Sequence, residues 1–594
     1  MTESTTSLNT FILIAPELAL VAAAIVILLS GAFLGFRSGW MAALLGIAVA
    51  GGFATLQPAD TNLSGPLAID LFSGFIRWMV LSVGALLALV LAGQSRESQR
   101  RHSSTTEEGG VFLLLLCGLS LVGAADDLVL LFAGLELISI PTYILLATGR
   151  TDARGQEASL KYFYLSLMAS GLFLYGIVCL YGIGGSTSLA VISDRLRSSQ
   201  PAIESFATSL VPIAVALVIA GATFRMAAVP MHFYAPDVYE GTSPGNAALL
   251  STLPKVAGVI VIARLLALAT GSPGEAVGSA GLWHLDLSWK VLVIVAALTM
   301  TIGNVMALVQ SNMRRLLACS SIAHAGYLLV GVAVAAASDG QRSDAGGSGG
   351  IWAGLDGLGS TLFYLSTYIV ATVGTFAVIT FLGHKALEWK PGNISKRIRE
   401  EVSSIDDLAG LSTAHPVAAF SMTLFLLSLA GIPPLPGFWG KLMLVVSSLE
   451  VDWLSPMSFG SRRTWFVGLA VTLVLNAAIA AAYYLKVIAA MYFKPVSRGV
   501  QADGGLSAGL AMLLSAGVLV MVTLQPQGLF ASATRAGSTA RTIPGQSNSM
   551  KSSVMHSSSE ITISQVPDRT SREAPVVSSL NLLPVTDRVS EPSQ

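Results

Sequence analysis

Residues 128–147 read LVLLFAGLELISIPTYILLA, an apolar stretch with a single charged residue, Glu136. Crossing the hydrocarbon core of a bilayer takes about 20 predominantly apolar residues. An ionisable side chain at mid-bilayer costs about 2.5–3.5 kcal/mol on insertion scales, so a helix that only crossed the membrane would carry leucine there. Lys255, Arg225 and Lys441 lie in comparably apolar surroundings. The stretch therefore predicts a helical membrane protein, and its buried charges indicate a path for protons or ions.

The composition of the whole chain points the same way. Of its 594 residues, 53% are hydrophobic and 11% are charged, whereas soluble domains carry about 25% charged residues. The formal net charge of zero gives no indication of nucleic-acid binding. The three cysteines lie far apart in apolar segments, without metal-ligand spacing. Because the sequence also has no phosphate-binding loop or dinucleotide fingerprint, we expect no cofactor or metal on this chain.

The pattern of apolar windows predicts about fourteen transmembrane spans. Their approximate ranges are 11–35, 40–57, 71–93, 110–125, 127–148, 159–184, 209–232, 246–270, 288–309, 315–337, 358–383, 416–448, 464–493 and 506–530. Residues 1–10 lack the basic region of a signal peptide, so the first window is interpreted as a span. The loops on one side hold about 15 Lys and Arg against about 6 on the other, which places both termini outside. The polar segment 531–594 is predicted to be disordered.

Two of the predicted spans contain a proline break beside a basic residue. FRMAAVPMHFYAPDVYEG at 224–241 contains Pro230, and LAGIPPLPGFWGK at 429–441 contains three prolines. Proline removes a backbone donor, and the freed carbonyls must be satisfied by protein or by cavity water. The breaks fall in the seventh and twelfth spans, and such paired breaks indicate internally repeated transporter halves. We therefore predict N-terminal helices in 1–109 and five-helix repeats in 110–270 and 288–495, with a last helix at 506–530.

The buried charges divide into titratable groups and one fixed cation. Glu136 can hold or release a proton as a nearby cation moves, although a structural ion pair is the alternative. Lys255 and Lys441 can exchange protons when buried away from water, and the alternative for each is snorkelling to an interface. Arginine does not deprotonate in proteins, so Arg225 is interpreted as a fixed cation that tunes Glu136.

Three further residues are candidates for the same path. His232 and His324 are proton relays or, alternatively, satisfied core histidines, because imidazole titrates near neutrality. Lys161, at the start of the sixth span, is expected to face inward. The charged residues expected at the membrane surface, as anchors, snorkellers or solvated groups, are Arg77, Arg264, Lys486, Asp126 and Asp127.

The series of motifs resembles the subunit N family of the proton-pumping NADH–quinone oxidoreductase, respiratory complex I. The residues that carry the resemblance are DDLVLLFAGLELISIPTYILLA (126–147), SLKYFYLSLMASGLFLYG (159–176), AVPMHFYAPDVYEG (228–241), LLSTLPKVAG (249–258), GNVMALVQSNMRRLLACSSIAHAGYLLVG (303–331) and LFLLSLAGIPPLPGFWGK (424–441). Subunits L and M and multisubunit sodium/proton antiporters share the same arrangement of lysines and prolines. Their broken-helix segment usually resembles PxHxWLPDAH, so APDVYEG favours subunit N.

The resemblance implies an all-α polytopic fold of fourteen helices, in which helices 4–8 and 9–13 are inverted repeats. It implies a proton channel driven by quinone chemistry elsewhere, in which Glu136, Lys255 and Lys441 are the helix-5, helix-8 and helix-12 titratable residues. His232 and Lys161 also match family positions. NADH, FMN, iron–sulfur clusters and quinone are expected in other subunits. Subunits M and K are the expected neighbours, in a bacterial inner membrane with both termini periplasmic.

The chain departs from the family pattern at one charged position. Arg225 stands where the family has a lysine, and TSPGN at 242–246 replaces APTPV. We expect protons to pass through Lys255 and Lys441, with altered coupling at Arg225. Two alternatives remain at this point: an independent cation/proton antiporter or a subunit of one, and a structural subunit whose channel has degenerated.

Overall fold

The computed structural model describes residues 11–35, 38–57, 66–98, 105–150, 152–197, 201–266, 282–338, 356–385, 401–452, 458, 460–496 and 500–540. All of them belong to the first of the two units into which the chain divides, Met1–Gln546 and Ser547–Gln594. Their regular structure is helical, apart from one antiparallel pair of two-residue strands, β1 (His384–Lys385) and β2 (Val500–Gln501). A 3₁₀ turn at Ile405–Leu408 lies between these strands in the chain.

The described residues form nineteen α-helices. In chain order they are α1 (Ala15–Leu34), α2 (Gly39–Thr55), α3 (Leu71–Ser98), α4 (Thr105–Gly123), α5 (Leu128–Gly149), α6 (Ala153–Gly184), α7 (Leu189–Arg197), α8 (Pro201–Met226), α9 (Ala235–Gly241), α10 (Pro244–Leu266), α11 (Leu282–Leu308), α12 (Met313–Ala337), α13 (Gly357–Leu382), α14 (Leu411–Ala414), α15 (Pro416–Ala430), α16 (Pro436–Leu449), α17 (Arg462–Phe493), α18 (Gly505–Leu524) and α19 (Pro526–Thr539).

The described residues include 11 helices that are long and apolar enough to cross a membrane, and three shorter apolar helices. The predicted all-α polytopic membrane fold is therefore confirmed. Fourteen crossings would require each of the shorter helices to take part in one, so that number, like the inverted repeats, stays a prediction. The helix α12 lies at the centre, because it is buried along its whole apolar length, whereas α1 and α18 are mostly exposed at the periphery.

Both predicted helix breaks are present. The helix α8 ends at Met226 and α9 begins at Ala235, while α15 ends at Ala430 and α16 begins at Pro436. Gly431 turns the chain with φ +85°, a conformation that glycine adopts without steric cost. A Cβ on Gly437 would lie 1.8 Å from the carbonyl oxygen of Ser428. Only glycine therefore lets the start of α16 pass so close to the end of α15.

The C-terminal part of the membrane region differs from the prediction. The predicted span 506–530 is two helices, because Pro526 ends α18 and begins α19. The predicted disordered segment 531–594 is helical up to Thr539, and the rest of that segment lies outside the described residues. A Cβ on Gly537 would lie 2.5 Å from the backbone nitrogen of Gly359. The small residues of α19 thus allow close packing on α13, which stabilises a helix that the hydropathy pattern did not indicate.

Several charges predicted at the membrane surface are instead buried or paired. Arg77 forms an ion pair with Glu17 at 2.8 Å, and Arg264 forms one with Asp70 at 3.0 Å. These pairs tie α3 to α1 and to α10. Each arginine has its charge compensated within the protein, so neither has to reach the bilayer surface.

The adjoining aspartates also differ from the prediction that they are simply solvated. Asp127 caps α5, because its carboxylate accepts hydrogen bonds from the backbone nitrogens of Val129 and Leu130 at 2.8 and 3.2 Å. Burial raises the pKa of the Asp126 carboxyl to about 6, against the opposing effect of the Arg264 cation. By contrast, the expected exposure of Lys486 is observed.

Candidate functional site

Lys255 lies one residue after Pro254 in α10 and is 1% exposed. Its Nζ donates a hydrogen bond to Ser321 Oγ at 2.6 Å. The hydroxyl of Tyr368 donates to the same Ser321 oxygen at 3.0 Å. In the described part of the chain, no carboxylate forms an ion pair with Lys255. This amine is therefore held by a hydroxyl group rather than by a counter-charge.

His324 occupies the next turn of α12 and joins three helices. Its Nδ1 lies 2.6 Å from the Tyr364 hydroxyl on α13, and its Nε2 lies 3.1 Å from the Tyr484 hydroxyl on α17. The imidazole also stacks on Tyr368, with ring centroids 4.7 Å apart. A neutral imidazole donates from one nitrogen and accepts at the other. Flanked by two hydroxyls, His324 has a hydrogen-bond partner for either tautomer.

Lys441 lies in α16 just beyond the second break. Its Nζ donates to the carbonyl oxygens of Leu429 and Ala430, at 2.8 and 2.9 Å. These carbonyls belong to the last turn of α15, where intrahelical partners are missing. Lys441 thus supplies donors that the broken helix needs, and its charge lies at the negative end of the helix dipole. Its Nζ also lies 4.9 Å from the ring centroid of Tyr327.

One face of α12 connects the two lysines. Ser321, His324 and Tyr327 recur every three residues and therefore share a face of the helix. Ser321 contacts Lys255, and Tyr327 lies against Lys441. The three residues span about 9 Å along the helix axis. We call this set, from Lys255 through the α12 face to Lys441, the buried polar line.

Glu136 and Arg225 form a second group, between α5 and α8. Arg225 Nη2 lies 3.5 Å from Glu136 Oε1, and Arg225 Nη1 donates to Ser139 Oγ at 2.9 Å. Ser170 Oγ donates to the same Glu136 oxygen at 2.6 Å. The Glu136 side chain is 26% exposed and that of Arg225 is 9% exposed. The structure therefore places the two charges in an ion pair, with the carboxylate nearer the surface of the chain.

The remaining predicted residues lie apart from these groups. Lys161 does not face inward: its side chain is 42% exposed and pairs with Glu157 at 2.6 Å and Asp237 at 3.6 Å. These carboxylates, Glu157 on α6 and Asp237 on α9, hold the ammonium at the surface. His232 lies half-buried in the break between α8 and α9.

Sequence reasoning missed the tyrosines that surround His324 in and beside the buried polar line. Tyr327, Tyr364, Tyr368 and Tyr484 are all buried, and each contacts His324. The available signal was the FYLSTY segment at 363–368, where two tyrosines recur four residues apart in a helix that crosses the membrane. A buried tyrosine hydroxyl usually finds a hydrogen-bond partner, so such a pair marks a polar stripe.

Sequence reasoning also missed an ion-pair network at one end of the helices. Glu401 lies 2.9 Å from Arg150 and 3.1 Å from Arg314, and the buried Arg314 also donates to the Thr242 carbonyl oxygen at 2.7 Å. The hydrogen bond and charge of Arg150 lower the pKa of Asp152 from its ordinary value. The network fixes the connection after α9 and the start of α12, the helix that carries the buried polar line.

These features define a class of membrane protein: a polytopic helical bundle with two broken helices and a buried line of lysines, histidine and hydroxyls. The family profile described as NADH:quinone oxidoreductase/Mrp antiporter, TM matches residues 125–343 and 348–466. The chain belongs to this family. Among the described residues, no cluster of three or more His, Cys, Asp or Glu is arranged to hold a metal ion.

Its curated relatives include many named NADH-quinone oxidoreductase subunit N, which confirms the resemblance seen in the motifs. The subunit N of Anaeromyxobacter sp. (strain Fw109-5) is 36% identical over 460 residues, covering 76% of this chain and 80% of that protein. The subunit N of Rhodospirillum rubrum is 32% identical over 520 residues, covering 86% of this chain and 93% of that protein.

Solved structures share the fold. A chain of respiratory complex I from Thermus thermophilus has a TM-score of 0.65 at 24% identity, and the match covers 88% of this chain and 99% of that chain. A chain of the Mrp complex from Dietzia sp. DQ12-45-1b has a TM-score of 0.66 at 21% identity, covering 89% of this chain and 97% of that chain. At these identities the likeness is one of fold.

Proposed function

We propose that the chain is a proton-translocating subunit in the membrane arm of an NADH–quinone oxidoreductase. The observation that carries the proposal is the buried polar line. It runs through the most buried helix, and its two lysines are held by hydroxyl and carbonyl oxygens. Buried ionisable groups are costly in a membrane and usually mark a transport path. The relatives' shared name, NADH-quinone oxidoreductase subunit N, supplies the complex in which the path would work.

The geometry suggests how a proton moves along the line. Lys255 and Lys441 hold the proton, because an amine can accept and release it at one atom. Between them, Ser321 and His324 offer oxygen and nitrogen atoms that both donate and accept. Tyr364 bonds the imidazole at 2.6 Å, so a change of tautomer at His324 passes a proton without moving the ring far. The His324 ring can thus relay a proton between Tyr364 and Tyr484, and transfer from there to either lysine requires a further donor or acceptor such as cavity water.

We assign an electrostatic role to the ion pair of Glu136 and Arg225, which lies outside the buried polar line. Arg225 remains protonated, so the group that changes charge is Glu136. When Glu136 is ionised, the pair is neutral, and when Glu136 takes up a proton, the arginine charge is uncompensated. That uncompensated charge would repel a proton on Lys255 and favour its transfer toward Lys441.

We also propose which groups and subunits surround the chain in the complex. The redox groups, NADH, FMN, iron–sulfur clusters and quinone, belong to other subunits, and this chain carries none. Membrane-arm subunits are its partners, with antiporter-like subunit M and small subunit K as neighbours. The chain lies in the bacterial inner membrane with both termini periplasmic, and residues 110–270 and 288–495 are the two repeats.

The test is proton pumping by the purified complex in liposomes, measured as protons translocated per NADH oxidised. Lys255→Ala and Lys441→Ala should each lower that ratio several-fold while the complex still assembles. Lys486→Ala is the matched control, because this lysine lies exposed on α17, away from the line. If all three variants kept the ratio of the unsubstituted complex, a proton path through the line would be refuted. A structural subunit with a degenerated channel would then be favoured.

An independent cation/proton antiporter is the second candidate, because the family and one solved neighbour include Mrp antiporters. Purification of the tagged chain from its own membranes in mild detergent separates the two. Recovery with iron–sulfur subunits supports the redox-driven pump. Recovery with only antiporter subunits, or alone, would support an exchanger driven by an ion gradient.

A further inference from the structure

A large cleft has no residue of the buried polar line in its lining. Its volume is about 860 Å³, and α2, α3, α13, α18 and α19 all contribute to its walls. Most of its lining surface is apolar, represented by Val83 on α3 and Val370 on α13. The ion-pair network around Glu401 does not line the cleft either.

The charged groups of the cleft are gathered at one end, whereas its hydroxyl groups are distributed along it. Gln57 follows the end of α2, Arg77 lies near the start of α3, and Arg535 lies on α19. Arg77 is compensated by Glu17, and Asp70, the acidic residue of the lining, is compensated by Arg264. Arg535 is exposed and forms no ion pair with the described residues. Among the described residues, this end of the cleft therefore carries one positive charge without an ion-pair partner.

The length of the cleft matches one leaflet of a bilayer. Its lining on α3 extends from Leu71 at the helix start to Val83, which is about 18 Å along the helix axis. On α13 it reaches Val370, about 20 Å from the helix start at Gly357. Half of a typical hydrocarbon core is about 15 Å thick. A molecule with its head among the helix ends could extend its apolar part to the middle of the bilayer.

We propose that this cleft binds one phospholipid with an anionic headgroup. Arg535 binds the phosphate, since guanidinium and phosphate form short, charge-assisted hydrogen bonds. The acyl chains lie between α3, α13 and α18, where they cover apolar side chains that water would otherwise contact. The bound lipid joins the N-terminal helices to α13, which also carries Tyr364 and Tyr368, the neighbours of His324.

Photo-crosslinking tests the site in the whole protein. The chain, purified together with its partner subunits, is reconstituted with phosphatidylglycerol that carries a diazirine on an acyl chain. Crosslinked peptides are mapped by mass spectrometry. We expect crosslinks to α3 around Val83 and to α13 around Val370. A phosphatidylcholine probe, which has no net charge, should crosslink there less.

Two substitutions probe the head and the body of the site. Arg535→Ala should lower crosslinking by phosphatidylglycerol about tenfold, the effect of losing one charge-assisted contact, and Arg535→Lys should restore part of it. Gly74 lines the cleft, and a Cβ there would meet nothing within 4 Å. Gly74→Leu should therefore place an apolar side chain in the cleft and exclude both probes. Gly52→Leu is the matched control, because Gly52 has equally open surroundings on α2 but does not line the cleft.

Absence of crosslinks from these two segments would overturn the proposal, and would mean that protein covers the cleft. Crosslinks that neither Arg535→Ala nor Gly74→Leu reduces would also overturn it, because they would report general contact with lipid. Equal labelling by the two probes in the unsubstituted protein would overturn the preference for an anionic headgroup.

Discussion

The replacement of Arg225 by lysine tests whether a fixed cation beside Glu136 shapes proton coupling. Arg225 reaches Glu136 with one branch of its guanidinium and Ser139 with the other. Lysine has a single ammonium, so it cannot reproduce both contacts. It also introduces a group that can lose its proton, which arginine does not do. Arg225→Lys therefore changes the geometry of the pair and its response to pH.

The magnitudes follow from the distances. At 3.5 Å and an effective dielectric constant of about 20, the direct attraction between the two charges is about 5 kcal/mol, before desolvation is subtracted. Breaking the hydrogen bond from Nη1 to Ser139 costs about 1.5–3 kcal/mol, as expected for a charged donor. We expect Arg225→Lys to lower the free energy of unfolding by about 1.5–3 kcal/mol, the contribution of this hydrogen bond. Arg225→Met should lower the free energy of unfolding further, because the Glu136 charge is then left without its partner.

The assay is proton translocation per NADH oxidised in liposomes, followed from mildly acidic to alkaline pH. The unsubstituted protein should keep its ratio on the alkaline side, since Arg225 stays charged. The Arg225→Lys protein should lose coupling as pH rises, and Glu136→Gln should remove the difference between the two. An unchanged ratio with an unchanged pH profile in Arg225→Lys would refute this role of the arginine.

Three further predictions concern the scaffold. Glu17→Gln should destabilise the protein by about 3–5 kcal/mol, because Arg77 is then buried without a counter-charge. Thermal unfolding in detergent measures this loss of stability. Replacing both Glu17 and Arg77 by leucine should recover most of it. Gly437→Ala should cost about 3 kcal/mol or prevent assembly, because the added Cβ would lie 1.8 Å from a carbonyl oxygen of α15; normal yield and thermal stability would contradict this. The hydrogen bond from Lys494 lowers the pKa of Asp406 below its ordinary value of 3.8. The resulting stabilisation is therefore complete above that value and is lost as pH falls through the lower folded-state pKa. Hydrogen exchange in residues 404–410 should be faster in Asp406→Asn than in the unsubstituted protein at neutral pH, and the difference should vanish in strong acid; a difference that persists in acid would exclude this ion pair as its cause.

The helical membrane fold could be predicted because it depends on local properties. Twenty apolar residues in a row have no stable alternative to a helix in lipid, since each backbone group needs a partner within its own segment. The same reasoning located both breaks, at 227–234 and 431–435, because proline removes a donor wherever the chain later lies. It also singled out Glu136, Lys255 and Lys441, because a charge in an apolar stretch is visible without knowing its neighbours.

Pairing could not be predicted in the same way. Arg77 and Arg264 were expected at the membrane surface because each lies near a span end, yet their partners come from distant parts of the chain. Lys161 was expected to face inward, but carboxylates on α6 and α9 hold it at the surface. The helix α19 was not predicted because its own residues are too polar to indicate a membrane helix, and it forms by packing against α13.

The sequence by itself thus determined that this protein is a helical membrane protein, where its helices break, and which buried charges it carries. The tertiary structure decided which of those charges meet, and it alone joined Lys255 to Lys441 through the tyrosines and His324 on neighbouring helices. The physical reason is the difference in the range of these interactions along the chain. Hydrophobic burial and backbone hydrogen bonding act on each segment as it stands, whereas a hydrogen bond requires two groups within about 3 Å. Only the packing of the helices brings such groups together.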